Sequence, residues 1–276
     1  MSATKLSEFR GTGELLNNLV LRELRGRYKR SVLGWAWSLI NPLATVMIYW
    51  LVFSIFLKVE PPRGDPSGLK SFVLFLVCGL LPYRFLSESI SVSVDSLLQN
   101  ANLVKKVYFP RELVVISAVG SLLVTFLIEL GVMLVLLLLF GNMVLPWIPL
   151  VLVIVVLQSV LLLGVSLILA PLNVYLRDVK HFVGIALQLL FYSAPIVYPV
   201  RLVPERPDVL GMEIPFRTIY QLNPLVVIVE CFRDVMYDLR FPELRDLGYL
   251  AAWAIGMLLF GRWVFGRLDR RLAEEV

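Results

Sequence analysis

The chain is poor in the residue types from which catalytic and metal sites are usually built. It has one histidine, His181, and two cysteines, Cys78 and Cys231, which lie in apolar stretches. One histidine cannot build a metal site alone, and cysteines in apolar surroundings are typical of small core residues rather than of a disulfide or metal pair. No GxxxxGK[ST] phosphate loop, HExxH or GxSxG motif occurs. The sequence therefore predicts no catalytic residue, no metal site and no cofactor of its own.

Charge is also scarce over long parts of the chain. Residues 31–57 and 130–176 contain no Asp, Glu, Lys or Arg, and 58% of the 276 residues are hydrophobic. Uncharged runs of this length predict membrane spans. The net charge of +5 is spread over the segments that flank these runs. It therefore indicates membrane topology and contact with anionic lipid rather than nucleic-acid binding.

The apolar runs predict an all-α integral membrane fold with six spans. The spans lie at about 32–57, 71–98, 113–140, 147–176, 182–200 and 247–266. An even number places both termini on one side, and the Lys and Arg of the first and last segments make that side the cytoplasm. Residues 1–31 are then the cytoplasmic N-terminus, residues 32–266 the transmembrane domain and residues 267–276 a cytoplasmic tail.

Shorter segments accompany the spans. Residues 14–30 carry apolar side chains three or four positions apart, which predicts an amphipathic helix on the inner membrane surface. Within residues 214–236, two apolar pieces are too short to cross, and we expect short helices that re-enter the outer leaflet. Proline is expected to break or kink the first span at Asn41-Pro42, and Pro195 and Pro199 to allow hinging in the fifth.

A few charged residues lie inside the predicted spans. Arg84 and Glu88 are four positions apart, so that they can pair on one face of the second span, which also holds Asp95. Glu129 lies alone in the third span. Charged side chains within a membrane usually face protein or water. A structural strut within the bundle and a role in transport both remain open for the Arg84–Glu88 pair.

The most informative stretch runs from Arg22 to Leu43, where a basic cluster meets an aromatic, apolar run. The basic residues are Arg22, Arg25, Arg27, Lys29 and Arg30, and Trp35 and Trp37 follow at the expected boundary. Such a cluster orients the following span with its positive end inside. It also places cationic groups at the headgroup level of the inner leaflet.

Four segments in chain order resemble the membrane subunit of the bacterial polysaccharide ABC exporters, which are type-2 ABC permeases. They are RELRGRYKRSVLGWAWSLINPL, NANLVKKVYFPRE, LRDVKHFVGIALQLLFYSAPIVYP and QLNPLVVIVECFRDVMY. They are distributed from residue 22 to residue 237, and the resemblance extends in the same order over nearly the whole chain. The resemblance implies export of a lipid-linked polymer, such as O-antigen, teichoic acid or galactan, across the inner or plasma membrane on an undecaprenyl-diphosphate-type carrier.

The resemblance also implies partners. Two copies of this chain would pair with two copies of an ABC ATPase subunit, which would bind the ATP and Mg. The basic cluster would then bind the carrier diphosphate, because Arg supplies both charge and hydrogen-bond donors. Residues 99–112 would be the coupling helix. The residues expected to contact the ATPase are Asn102, Lys105, Lys106, Tyr108, Phe109 and Arg111, with Arg177 and Asp178 as a smaller second contact.

Aromatic side chains in the first and fifth spans could line the path of a glycan, because sugars stack their CH faces on rings. The candidates are Trp35, Trp37, Tyr49, Trp50, Phe53, Phe191, Tyr192 and Tyr198. An interfacial aromatic belt with ordinary packing would have the same composition.

Two other functions remain open at this point. A type-2 ABC permease for a small drug or lipid would show a weaker basic signature at its N-terminus. A membrane enzyme acting on the carrier lipid would need clustered Asp, Glu or His at a membrane face, and this chain has one His and no acidic cluster at an inner loop.

Overall fold

The structure is a computed structural model that describes residues 3–28, 34–106, 109–205, 208–209, 212–213 and 216–275. Over these ranges the chain is almost entirely helical. The α-helices are α1 (Ala3–Tyr28), α2 (Trp37–Tyr49), α3 (Phe72–Gln99), α4 (Ala101–Lys106), α5 (Glu112–Leu139), α6 (Ile148–Tyr175), α7 (Val179–Ser193), α8 (Phe216–Gln221), α9 (Pro224–Arg233) and α10 (Leu244–Glu275). π-Helical turns continue α2 over Trp50–Phe56 and α9 over Asp234–Asp238. A two-residue antiparallel pair, β1 (Asp208–Val209) and β2 (Met212–Glu213), lies between α7 and α8.

Five helical segments are long and apolar enough to cross a membrane. They are Trp37–Phe56, Phe72–Gln99, Glu112–Leu139, Leu145–Tyr175 and Leu244–Arg270. Their ends lie near those of the predicted spans, and the all-helical membrane fold is confirmed. α7 has 15 residues. At 1.5 Å per residue it is about 22 Å long, shorter than a hydrocarbon core of about 30 Å. Helix length therefore supports five spans and leaves the sixth open.

The prolines do not act where the sequence analysis placed them. α7 ends at Ser193 rather than near Val200, and Ala194 is extended with ψ of 151°. Pro195 explains this end, because a proline disfavours the helical conformation of the residue before it. Pro195 and Pro199 therefore follow α7 instead of interrupting it, and hinging at these residues stays a prediction. The expected break at Asn41-Pro42 is absent, because α2 continues through Pro42 to Tyr49, and a kink there stays a prediction.

Both ends of the chain form longer helices than expected. α10 passes through the predicted boundary at Gly266 and continues to Glu275. α1 begins at Ala3, well before the predicted start at residue 14. It packs beside α5, and its side chains Leu19 and Leu24 are buried. Part of its apolar face is thus covered by protein, and a position on the membrane surface stays a prediction.

α3 lies at the centre of the bundle. It contacts α2, α5, α6, α7 and α9, and most of its side chains are buried. α6 and α10 approach most closely at two glycines: a Cβ on Gly164 would lie 2.4 Å from the carbonyl carbon of Met257, and one on Gly261 would lie 2.2 Å from the Gly164 oxygen. Small residues allow such backbone contact between helices in a membrane. α2 and α7, in contrast, leave most of their side chains at least partly exposed.

Candidate functional site

One face of α3 carries a polar stripe in a helix whose other faces are apolar and buried. The stripe consists of Arg84, Ser87, Glu88, Ser91 and Asp95, which are half-buried or exposed, while the intervening side chains are mostly buried. These positions follow the helical period, and they extend over about 17 Å of helix axis at 1.5 Å per residue. Ionisable side chains at membrane depth rarely face lipid. The stripe must therefore face water or protein.

The stripe lies between α2 and α7. Arg84 lines a small cavity together with Pro42 and Val46 of α2. On the other side, the ring of Tyr83 lies 5.1 Å from that of Phe191 in α7, and its hydroxyl donates to the Leu187 carbonyl at 2.8 Å. The polar face of α3 is therefore flanked by α2 near Arg84 and by α7 near Tyr83.

Arg84 forms an ion-pair cluster at the N-terminal end of the stripe. Its Nη2 lies 3.3 Å from Glu88 Oε1, as the spacing predicted, and 3.4 Å from Glu129 Oε1 of α5. The sequence pattern gives Glu129 no partner. An acid within an apolar run requires a partner at membrane depth, but the spacing of the sequence cannot identify it. The cluster joins α3 to α5 and contains two carboxylates for one guanidinium.

A second polar cluster forms at the C-terminal end of the stripe. Lys180 Nζ pairs with Asp95, and Asn173 Nδ2 donates to Asp95 Oδ1 and to the Val94 carbonyl, both at 3.2 Å. The Lys180 amide donates to Asn173 Oδ1 at 3.1 Å. These bonds fasten the loop that carries Arg177 and Asp178 to α3, and both of those side chains are exposed.

The predicted glycan-path aromatics separate into two groups. Trp37, Trp50 and Tyr192 are exposed. The others are partly buried and pack: Tyr49 and Phe53 have ring centroids 6.0 Å apart, Phe53 lies 4.8 Å from Phe72, and the hydroxyl of Tyr198 donates to the Tyr192 carbonyl at 3.0 Å. Phe191 packs on Tyr83, as described above. The side chain of Trp35 lies outside the described part. Among the described candidates, the three exposed rings are the most accessible to a ligand.

The structure describes only part of the N-terminal basic cluster. Lys29 and Arg30 lie outside the described residues. Arg22 pairs with Glu23 at 2.9 Å and also contacts Asn100 at the inner end of α3. Arg27 Nη2 donates to Ser121 Oγ of α5 at 3.2 Å, and Arg25 is exposed. Two of the three described arginines therefore also hold α1 on the bundle.

The predicted coupling segment presents fewer free groups than expected. Asn102, Lys105 and Lys106 are exposed on α4, and Tyr108 lies outside the described ranges. Phe109 is half-buried and packs against an inner core cluster that includes Val104. Arg111 Nη1 donates to the backbone carbonyl and the carboxylate of Asp269 at 2.7 and 3.0 Å, and so anchors α10. Of the basic residues, the two lysines present the most accessible charge.

Sequence reasoning missed the most buried cation among the described residues, Arg233 at the end of α9. Its exposed fraction is 3%. Its guanidinium donates to the Ile196 carbonyl at 2.7 Å and to the Pro195 carbonyl, and it lies 3.7 Å from the ring centroid of Phe75. Burial lowers the pKa of Arg233, and the carboxylate of Glu230 at 3.4 Å opposes this. An Arg inside the apolar run 225–236 was the signal available in the sequence.

Beside Arg233 lies a cavity of about 710 Å³, and half of the residues that line it are charged. Arg240 Nε donates to Asp234 Oδ1 at 2.8 Å. Burial raises the pKa of Asp234, and the bond from Arg240 works against the rise. The buried Asn142, in the turn between α5 and α6, donates to the Met236 and Tyr237 carbonyls at 2.7 and 3.3 Å. The end of α9 is thus bonded to the neighbouring loops that carry Asn142 and Arg240.

No group of three or more His, Cys, Asp or Glu side chains that could hold a metal ion occurs in the described part of the chain. Cys78 and Cys231 are both buried and free. The chemistry of the described residues is therefore that of polar contacts and ion pairs.

Comparison with known proteins identifies the family. The family described as ABC-2 type transporter matches residues 14–237. The O-antigen export system permease protein RfbA of Klebsiella pneumoniae is 31% identical, over 95% of this chain and 94% of that protein. RfbA of Myxococcus xanthus is 30% identical over 99% and 98%, and the polysialic acid transport protein KpsM of Escherichia coli is 26% identical over 88% and 89%. The resemblance to type-2 ABC permeases is confirmed: this chain is a multi-pass membrane protein of the ABC-2 type transporter family.

Proposed function

We propose that this chain is the transmembrane subunit of an ATP-driven exporter of lipid-linked polysaccharide. The cargo would move on an undecaprenyl-diphosphate-type carrier from the cytoplasmic side across the inner or plasma membrane. The similar RfbA and KpsM proteins are named for O-antigen export and polysialic acid transport, and both names denote carbohydrate polymers. The chain itself would hydrolyse nothing, and ATP and Mg would belong to the partner.

The observation that carries this proposal is the polar stripe on α3 between α2 and α7. A glycan needs hydroxyl, amide or charged groups along its path, and lipid offers none. One chain would supply only one side of such a path, formed by α3 with α2 and α7 beside it. A second copy facing the first would close it. The exposed rings of Trp37, Trp50 and Tyr192 would then lie on or near the walls, where sugar faces stack.

The proposal includes six crossings, with both termini in the cytoplasm. α7 alone is too short, but the chain continues beyond it in buried residues that include Ala194, Ile196 and Val200. These residues are covered by protein, which is the condition for non-helical backbone at membrane depth. The helix and this segment together would complete the crossing, and α8 and α9 would re-enter from the outer side.

Two inner surfaces would contact the partners. Exposed Lys105 and Lys106 on α4, with Arg177 and Asp178 nearby in the second inner loop, would dock an ABC ATPase, one copy for each copy of this chain. The arginines of α1, together with Lys29 and Arg30, would bind the carrier diphosphate at the inner headgroup level. Arg25 is the most accessible of the described arginines for that contact, since Arg22 and Arg27 also bind the bundle.

The test is export of a carrier-linked glycan by the complex with its neighbouring ATPase, reconstituted in lipid vesicles. Ser91→Phe places a large ring on the exposed stripe, and Val156→Phe places the same ring on an exposed apolar position of α6. We expect Ser91→Phe to block export while ATP hydrolysis continues, and Val156→Phe to leave both unchanged. Equal export by the two variants would exclude the stripe from the path. Turnover that responds to a small amphiphile but not to the glycan would favour the small-substrate permease.

A further inference from the structure

α7 is held to the rest of the chain by few contacts. All of its residues are described, and only Leu187 is buried. At its inner end Lys180 pairs with Asp95, and in its middle the Leu187 carbonyl accepts a hydrogen bond from Tyr83. A helix with so little buried surface takes its position from such tethers. The position of its outer end therefore depends on what holds the residues that follow Ser193.

Arg233 holds those residues. Its Nη2 donates to the Ile196 carbonyl at 2.7 Å, and its Nη1 donates to the Pro195 carbonyl and lies 3.5 Å from the Tyr198 carbonyl. These carbonyls follow a helix end and a proline, so that no helical amide is available to them. The planar guanidinium presents several donors in a fixed arrangement, which a lysine ammonium cannot reproduce.

The contacts of Arg233 with α3 are of another kind. Its Nε lies 3.4 Å from the Phe75 carbonyl, a long hydrogen bond, and its guanidinium lies over the Phe75 ring. A cation–π contact depends on distance from the ring face and tolerates sliding better than a linear hydrogen bond. Among the contacts of Arg233, the short, directed bonds thus join α9 to the segment after α7. The long bond and the ring contact join it to α3, beside the apolar packing of α9 on that helix.

We propose that Arg233 is a positioning residue that joins the re-entrant helix α9 to the outer end of α7, so that the two move together when the outer side of the exporter opens. The inference rests on the proposed export function. α7 begins beside the inner loop of Arg177 and Asp178, so a displacement there would reach α9 through one helix and one side chain.

The chain contains its own reporter of this motion. Cys231 lies on α9, two residues before Arg233, and its exposed fraction is 1%. Burial raises the pKa of its thiol, which suppresses reaction with maleimides while α9 is packed. The other cysteine, Cys78, is buried in α3. A Cys78→Ala background leaves Cys231 as the only thiol, and a membrane-impermeant maleimide added from the outer side then reports displacement of α9.

The experiment measures labelling of Cys231 in the reconstituted complex with its ATPase, with and without ATP. With Arg233 present we expect labelling only during turnover. Arg233→Lys should raise labelling without ATP roughly tenfold, the factor expected for loss of one charged hydrogen bond, and ATP should no longer accelerate it. A merely structural role would leave the acceleration by ATP intact, because a loosened α9 would still be driven, and that result would overturn the proposal.

A second variant moves the guanidinium without removing it. A Cβ on Gly79 of α3 would lie 2.9 Å from Arg233 Nη2, so Gly79→Ala must displace the side chain. Gly131→Ala on α5 is the matched control, since its Cβ would meet nothing within 4 Å. Gly79→Ala should reduce the response of Cys231 to ATP, and Gly131→Ala should not. Equal responses would overturn the proposal even if Arg233→Lys fails to assemble.

These outcomes separate the inference from the proposed function. A complex that exports glycan while Cys231 stays unlabelled during turnover would overturn the role of Arg233 and leave the exporter standing. A complex that neither binds the ATPase nor exports would instead refute the proposed function.

Discussion

Removal of Arg84 should destabilise the chain strongly, and removal of Glu129 as well should restore most of the loss. The side chain of Glu129 is 9% exposed, and its carboxylate lies 3.4 Å from Arg84 Nη2. In Arg84→Gln, Glu129 keeps its burial and loses its cation. In Arg84→Gln/Glu129→Gln, two neutral amides occupy the same space and can bond each other.

The magnitude follows from what each variant leaves behind. Breaking a buried ion pair by removing one partner costs about 3–5 kcal/mol, whereas replacing both partners with neutral residues is often close to neutral. Glu88 also loses Arg84 in both variants, but its side chain is 46% exposed. A pair of that kind is worth at most about 1 kcal/mol. We therefore expect a loss of about 3–5 kcal/mol in the single variant and about 1 kcal/mol in the double.

The assay is unfolding of the purified chain in detergent micelles, followed by circular dichroism over increasing dodecyl sulfate. Glu88→Gln is the control and should change the free energy of unfolding by no more than about 1 kcal/mol. Glu129→Gln completes the double-mutant cycle, which gives the coupling between Arg84 and Glu129. A coupling below about 0.5 kcal/mol would refute the reasoning, since independent sites add to within that margin. Export by the double variant then separates the two open roles: normal export indicates a strut, and lost export with normal stability indicates a transport role.

Two further predictions concern the ends of the path and the packing of the bundle. Lys105→Glu/Lys106→Glu reverses the exposed charge of α4. The double variant should weaken co-purification of the ATPase and lower the ATPase turnover of the complex roughly tenfold or more, because charges of the same sign that face each other at an interface cost several kcal/mol. Gly164→Ala forces apart the backbones of α6 and α10 and should destabilise the chain by about 1–3 kcal/mol in the same unfolding assay.

Each of these variants has a matched control in the chain. Lys58→Glu/Lys70→Glu makes the same charge change on the predicted outer loop and should leave ATPase binding intact; equal loss in both pairs would remove α4 from the docking surface. Gly256→Ala adds a methyl group to α10 where a Cβ meets nothing within 4 Å. If it is as harmful as Gly164→Ala, close packing of α6 and α10 is not the cause.

The sequence predicted the spans better than the site because the two depend on interactions of different range. An uncharged run must be helical wherever it crosses lipid, since its backbone groups find no other partners there. The Arg84–Glu88 pair could be predicted for a similar reason, because residues four positions apart lie on the same face of any helix. The position of Pro195 could also have predicted where α7 ends, but the prediction used hydrophobicity alone and placed the end near Val200.

The rest of the site depends on which helices become neighbours. In the sequence, Arg111 looks like a free cation for docking, but in the structure it pairs with Asp269 of α10, which is 158 residues away. Lys180 likewise looks like an isolated loop charge, but it pairs with Asp95. Arg233 lies in one of the segments that resemble the exporters. Its proposed role as a tether depends on the tertiary structure, because α9 packs beside the residues that follow α7.

The sequence by itself determined that this chain is a helical membrane protein and where five of its spans lie, because hydrophobic length and local spacing act along a single helix. Its family was indicated by four segments that resemble the polysaccharide ABC exporters. Only the tertiary structure decided which charges are free and which are bound, and that the polar side chains of α3 lie between α2 and α7. The physical reason is that a buried charge takes its partner from whichever helix packs against it, and local sequence does not specify that neighbour.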